Sequence, residues 1–141
     1  KGLIILLMAF SLNAHAEKMK DFTLPMHAKE GSFRLQDEVK KKKVLLNFWA
    51  TWCTSCIQEL PKLEALKAKY GDKVTFVAVN AGEKSNLIER FLKKYKFSYT
   101  LLRDEERVLS KSVGVDSLPV TIVVAQDMNI ASRDVVPPTE L

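Results

Sequence analysis

The sequence predicts a single α/β domain built on a mainly parallel sheet, and three observations point there. Residues 44–50, 74–79 and 120–125 are nearly continuous apolar runs, rich in β-branched residues in the last two, as strands buried on both faces require. Between the first two runs, Leu60, Leu63, Leu66 and Tyr70 recur at steps of three and four. Between the second and third, Leu87, Ile88, Phe91, Leu92 and Tyr95 do the same, so helices separate the strands. Both cysteines lie together where the first strand hands over to the first of these helices. The length, 141 residues, suits one domain that buries enough surface to fold without a disulfide framework. Two Cys cannot supply a multi-bridge scaffold or a four-cysteine zinc site. A net charge of +5, with both signs spread along the chain, gives no focused case for nucleic acid.

The first sixteen residues read as a segment outside the fold. Lys1 precedes the apolar run Leu3-Ile4-Ile5-Leu6-Leu7-Met8-Ala9-Phe10, and Ala14-His15-Ala16 follows it. A basic start, a short apolar core and a small-x-small end are the parts of a secretory signal peptide. The run is far short of the ~20 apolar residues that span a bilayer. The expectation is a signal peptide over 1–16 and a domain over 17–141, with an uncleaved anchor as the alternative. Cleavage after Ala16 leaves 125 residues, a net charge of +4 because only Lys1 is lost, and His27 as the remaining histidine. Such a chain works in the periplasm or otherwise outside the cytoplasm, where disulfides persist.

Along the domain, residues 17–32 are polar and mixed, with Pro25 and Gly31, and read as an entry arm. Phe33-Arg34-Leu35 alternates like a short edge strand, and the four lysines 40–43 read as a solvated turn before the first buried strand. Gly71-Asp72 stops the first helix, and a shorter helix is expected over 105–112. After the strand at 120–125, Asp127-Met128-Asn129 makes a turn and Ile130-Ala131-Ser132 starts a last strand.

The chemical signal is Trp49-Ala50-Thr51-Trp52-Cys53-Thr54-Ser55-Cys56. Two residues between cysteines at a helix start bring the sulfurs within disulfide reach. Unpaired N–H groups and the helix dipole favour a thiolate on Cys53, and the thiolate is the attacking species in disulfide exchange. Cys56, one turn inside, is expected to be the more buried and to resolve the mixed disulfide. A static bridge would close too short a loop to stabilise much, and a metal site would need further soft ligands in a chain with so little His. Thr54 and Ser55 tune the thiols, either by donating to the Cys53 thiolate or by capping the helix. Glu59, three residues beyond Cys56, lies on the same helix side. Partly buried, it would have a raised pKa and could take the Cys56 proton; the alternative is a solvated Glu paired with Lys62. Trp52 is positioned to shape the contact surface, and Trp49 belongs to the core.

Phe48-Trp49-Ala50-Thr51-Trp52-Cys53-x-x-Cys56, with Pro61 and Val113-Gly114-Val115-Asp116-Ser117-Leu118-Pro119-Val120-Thr121, resembles the thioredoxin-fold oxidoreductases. The secretory start, Asn47, Glu59 and Val79-Asn80-Ala81-Gly82-Glu83 resemble the secreted TlpA/ResA-like branch. The resemblance implies a central mixed sheet flanked by helices, a kink at Pro61 and a cis peptide before Pro119. It implies that the Leu118 backbone beside that proline pairs with an extended substrate segment. It also implies that Asn47 stands where thioredoxins proper hold a buried Asp, leaving the proton-accepting role to Glu59. The implied activity is thiol–disulfide exchange, with Cys53, Cys56 and Glu59 catalytic and no metal or cofactor beyond the redox-active disulfide. The implied partners are protein disulfides, including those of cytochrome c maturation, and a membrane or periplasmic dithiol donor. A disulfide oxidant or isomerase uses the same residues at a higher potential. A copper or haem-apoprotein chaperone would use the thiols as ligands, and lacks a His beside them. A peroxide reductase needs a Pro and Thr ahead of a peroxidatic Cys, and nothing here has that arrangement. The resemblance also implies a C-terminal helix over one sheet face. With Pro137 and Pro138 so near the end, too little chain remains for it; either the fold is trimmed, with an apolar sheet face exposed, or the sequence is incomplete.

Overall fold

The computed structural model describes residues 15–141. All but two residues of the expected signal peptide therefore lie outside the described part of the chain. The main sheet has five strands in the order β5-β4-β3-β6-β7: β3 (Lys43–Trp49), β4 (Val74–Ala81), β5 (Thr100–Asp104), β6 (Val120–Val124) and β7 (Ile130–Asp134). β3 pairs parallel with β4, and β4 parallel with β5; β6 runs antiparallel to both β3 and β7. The sheet is thus evenly mixed rather than mainly parallel. A separate two-stranded ladder joins β1 (Thr23–Pro25) to β2 (Ser32–Arg34). The expected edge strand at 33–35 belongs to that ladder, and Leu35 already opens the short helix α1 (Leu35–Val39).

Strand parity sorts the core into two faces. Val44, Leu46 and Phe48 of β3 join Val77, Val79, Val120, Ile122 and Val124 on one face. There they meet Leu35 and Val39 of α1, and Leu109 from α4 (Val108–Ser112). On the opposite face Leu45 and Trp49 meet α2 (Thr54–Tyr70) through Leu63 and Leu66, and α3 (Ser85–Leu92) through Ile88 and Phe91. Asn47 shares the α2 face by the same parity.

Two elements depart from the expectation in detail. β5 was not anticipated: only Leu101 and Leu102 are apolar, and Arg103 and Asp104 follow at once. Each leucine nevertheless serves a different face of the core, as an interior strand pair would. The last helix before β6 begins at Val108 rather than 105, because Asp104 caps it from a distance. Its carboxylate accepts from the Leu109 and Ser110 amides and the Ser110 hydroxyl.

Among the described residues, no helix follows β7. Instead Pro138 and Thr139 lie along α2 beside Lys62, Ala65, Leu66 and Lys69, and Leu141 packs on the cluster of Leu45, Leu63 and Leu66. The expected loss of cover over the sheet does not occur at β6, where Thr121 and Val123 are both buried. Val135 and Val136, at the bend after β7, are exposed.

Candidate active site

β3 runs into the sheet end at Trp49, and α2 starts five residues later; Cys53 is its N-cap residue. Cys53 and Cys56 are disulfide-bonded, with Cα atoms 5.2 Å apart. The Cys53 Sγ accepts from the Cys56 amide at 3.2 Å. The sulfur itself is the helix-capping acceptor, not the hydroxyls of Thr54 or Ser55, which face solvent. The cysteines are equally buried, each 4% exposed, so Cys56 is not the deeper of the two. What distinguishes them is position. Cys53 sits at the positive end of the helix, where an anionic sulfur is favoured, and Cys56 inside the first turn.

Around the sulfurs the described surface is divided sharply. Trp52, next to the nucleophile candidate, is 69% exposed. Trp49, three residues earlier, is packed between Phe91 and Phe97 with centroids 5.0 and 4.9 Å away. Pro61 falls inside α2, where the missing N–H frees one backbone acceptor. The Leu118–Pro119 peptide is cis, and Pro119 leads directly into β6, whose first residue pairs with Phe48. This register brings the Leu118 backbone to the sheet end that carries Cys53.

Glu59 is half-buried, and its Oε2 has no hydrogen-bond partner. Burial pushes its carboxyl up from 4.5 to about 7; Lys62 and the Asn47 amide pull weakly the other way. It is not ion-paired to Lys62 among the described residues. Asn47 donates from Nδ2 to Thr121 Oγ1 at 3.1 Å, a bond fixed by their direct pairing across β3 and β6. Glu59 opens on a groove of about 440 Å³ beside Pro119. Ser55, Gln58 and Lys62 form one wall, and Val135, Val136 and Pro137 the other.

One supporting residue escaped the sequence reading in its role. Glu83 is buried, and its carboxylate accepts from the Thr51 amide at 2.7 Å, from the Thr51 hydroxyl, and from Asn80 Nδ2 at 2.9 Å. It thereby holds the turn that presents Trp52 and Cys53. The available signal was an acid just past the carboxyl end of a central strand, where α/β sheets place their sites. Among the described residues, no group of three or more His, Cys, Asp or Glu could hold a metal ion.

Known proteins share this fold. The Redoxin family profile matches residues 14–140. The thioredoxin-like protein YneN of Bacillus subtilis is 39% identical over 124 residues, covering 82% of this chain and 71% of that protein. The thiol-disulfide oxidoreductase ResA of Halalkalibacterium halodurans is 35% identical over 88 residues, 62% of this chain; the match spans half of that relative's length. Among solved structures, a Chlorobium tepidum protein assigned as thiol:disulfide interchange protein DsbE aligns with a TM-score of 0.78 at 28% identity, over 87% of this chain and 86% of that one. The exposed lipoprotein thioredoxin Etrx1 of Streptococcus pneumoniae aligns with a TM-score of 0.71 at 26% identity, over 86% and 92%.

Proposed function

The chain belongs to the Redoxin family, with the thioredoxin fold and CxxC disulfide of a thiol–disulfide oxidoreductase, and we propose that it reduces protein disulfides outside the cytoplasm. The observation that carries this reading is the convergence at one sheet end of the Cys53–Cys56 pair, Leu118 packed against it and the half-buried Glu59. In the dithiol state the Cys53 thiolate attacks one sulfur of a substrate disulfide. A mixed disulfide forms and one substrate thiolate leaves. Glu59, as carboxylate, takes the proton of the Cys56 thiol. The Cys56 sulfur then attacks Cys53 Sγ, which restores the intramolecular disulfide and releases the second substrate thiolate. Two electrons have passed to the substrate, and a dithiol donor must return them.

Substrate binding is assigned to Trp52, to the Leu118 backbone and to Pro119, with an extended segment pairing alongside the loop. Asn47 supports the site from β3, and Thr54 and Ser55 tune the couple. The extracytoplasmic setting rests on the secretory pattern of residues 1–16. No helix among the described residues is long and apolar enough to cross a membrane. Resemblance to the TlpA/ResA branch makes apocytochrome c the favoured substrate class.

The test is the reduction potential of the Cys53–Cys56 couple, equilibrated against glutathione and dithiothreitol buffers. The expected value lies near or below that of thioredoxin, about −270 mV. A value near about −120 mV would make the chain a disulfide donor and reverse the direction proposed.

A further inference from the structure

The loop 113–119 that delivers Pro119 is held by its carbonyls. Arg133, on β7, donates to Val113 O and, at 2.8 Å, to Gly114 O. Arg107 donates from Nη2 to Val115 O at 2.8 Å. Three consecutive carbonyls are thus taken by two guanidinium groups.

Arg107 does more than hold one carbonyl. Its Cγ and Cδ occupy the space over Gly82, 2.8 Å from where a Cβ would stand there. Gly82 has a φ of 88°, and its amide donates to Asp104 O. The next residue, Glu83, grips Thr51 and with it the turn before Cys53. One side chain therefore touches the loop that delivers Pro119 and the loop whose Glu83 holds the turn before Cys53. Two local rules are broken to put it there. Arg107 has a left-handed backbone, φ 58°, which costs any residue other than glycine. Its Nε is buried without a partner, which also costs free energy. Unfavourable choices gathered at one position mark a residue kept for the site rather than for the fold.

We propose that Arg107, assisted by Arg133, is a positioning residue that sets the Leu118–Pro119 backbone against Cys53, and so governs how well extended protein disulfides are held. The inference rests on the oxidoreductase reading above. A small disulfide reagent reaches the sulfurs without pairing along the loop, so its reduction does not depend on the clamp.

The decisive variant is Arg107→Gly, because glycine accepts the left-handed backbone and removes only the side chain. Relief of the left-handed backbone offsets part of the lost hydrogen bond, so its melting temperature is expected to stay within a few degrees of the parent's. Amide hydrogen exchange over residues 113–118 is expected to accelerate at least tenfold. kcat/KM for insulin reduction is expected to fall about tenfold, the scale of one charge-assisted hydrogen bond, with a small aromatic disulfide reduced within twofold of the parent rate. Arg107→Lys, which can make the single contact to Val115 O, is expected to stay within about threefold of the parent for insulin. Unchanged exchange in Arg107→Gly overturns the clamp. Equal losses on insulin and on the small disulfide overturn its role in holding substrate. If the parent reduces neither, the oxidoreductase reading fails instead, and the exchange comparison still decides whether Arg107 holds the loop.

Discussion

Replacing Glu59 by Gln separates a tuned carboxyl from an ordinary one, because the effect on stability must depend on pH. Burial raises the Glu59 carboxyl from 4.5, its ordinary value, to about 7. Below pH 4.5 the group is protonated in both the folded and the unfolded chain and contributes no difference. As pH rises from 4.5 to about 7, the unfolded chain loses the proton while the folded chain keeps it. Folding becomes progressively less favourable, and the penalty levels off above pH 7. At about 1.4 kcal/mol per pKa unit, a group wholly removed from water would carry ~3 kcal/mol. Glu59 is half-buried, and screening leaves about 1 kcal/mol. Gln is close in shape to the protonated acid and never ionises, so Glu59→Gln escapes the penalty. Thermal melts of the oxidised protein should coincide at pH 4.5. At pH 8.5 the variant should melt about 3 °C above the parent, as expected for ~1 kcal/mol in a domain of this size. In the same pH window the parent's turnover should rise as Glu59 becomes a base, and the variant should lack that step. A melting difference that stays constant from pH 4.5 to 8.5 would return Glu59 to an ordinary solvated carboxylate and remove its assigned role.

The cysteines are separated by trapping. Cys56→Ala should accumulate a mixed disulfide with substrate, visible by non-reducing electrophoresis and mass. Cys53→Ala should form none and should lose insulin reduction entirely; retained activity would refute the assignment of the nucleophile. Glu83→Gln turns one acceptor toward the donors Thr51 and Asn80 into a donor. It should cost about 2 kcal/mol, the scale of a hydrogen bond to a buried charge, and lower the melting temperature by roughly 6–10 °C in calorimetry.

The buried strands were legible because β3, β4 and β6 carry apolar runs too long for turns, and those of β4 and β6 are too β-branched for helices. The CxxC was legible because spacing and position encode its chemistry directly. β5 was harder to see, since a strand of five residues ending in Arg103 and Asp104 has no periodicity to detect. α1 was invisible for a related reason: five residues anchored by Leu35 and Val39 draw their stability from tertiary packing rather than propensity. The equal burial of the two cysteines escaped prediction because it depends on Trp49, Ala50 and Leu118 arriving from other elements. Glu83 and Arg107 are the instructive omissions. Each acts through a contact more than thirty residues distant or through a loop crossing, Thr51 for one and Gly82 for the other. An acid or a base in a loop is ordinarily solvated, so only the place of Glu83 just past the end of β4 sets it apart, and nothing local does so for Arg107.

Asn47 shows how a single strand position distributes proton chemistry across the site. Parity turns it toward α2, and pairing with Thr121 gives its amide a partner that needs no charge. An Asp in its place would set a second carboxylate near a carboxyl already raised by burial. The two would then titrate as a coupled pair, with one pKa driven higher still. With an amide there, Glu59 is left as the titrating group that α2 brings to this face beside Cys56, and its value near 7 follows from burial rather than from repulsion. The raised pKa does not require a second acid, and it places the base where it can change state under neutral conditions. In the proposed mechanism, the proton acceptor sits on the helix that carries both sulfurs. Helix geometry keeps Glu59 one turn from Cys56, whatever the strands do.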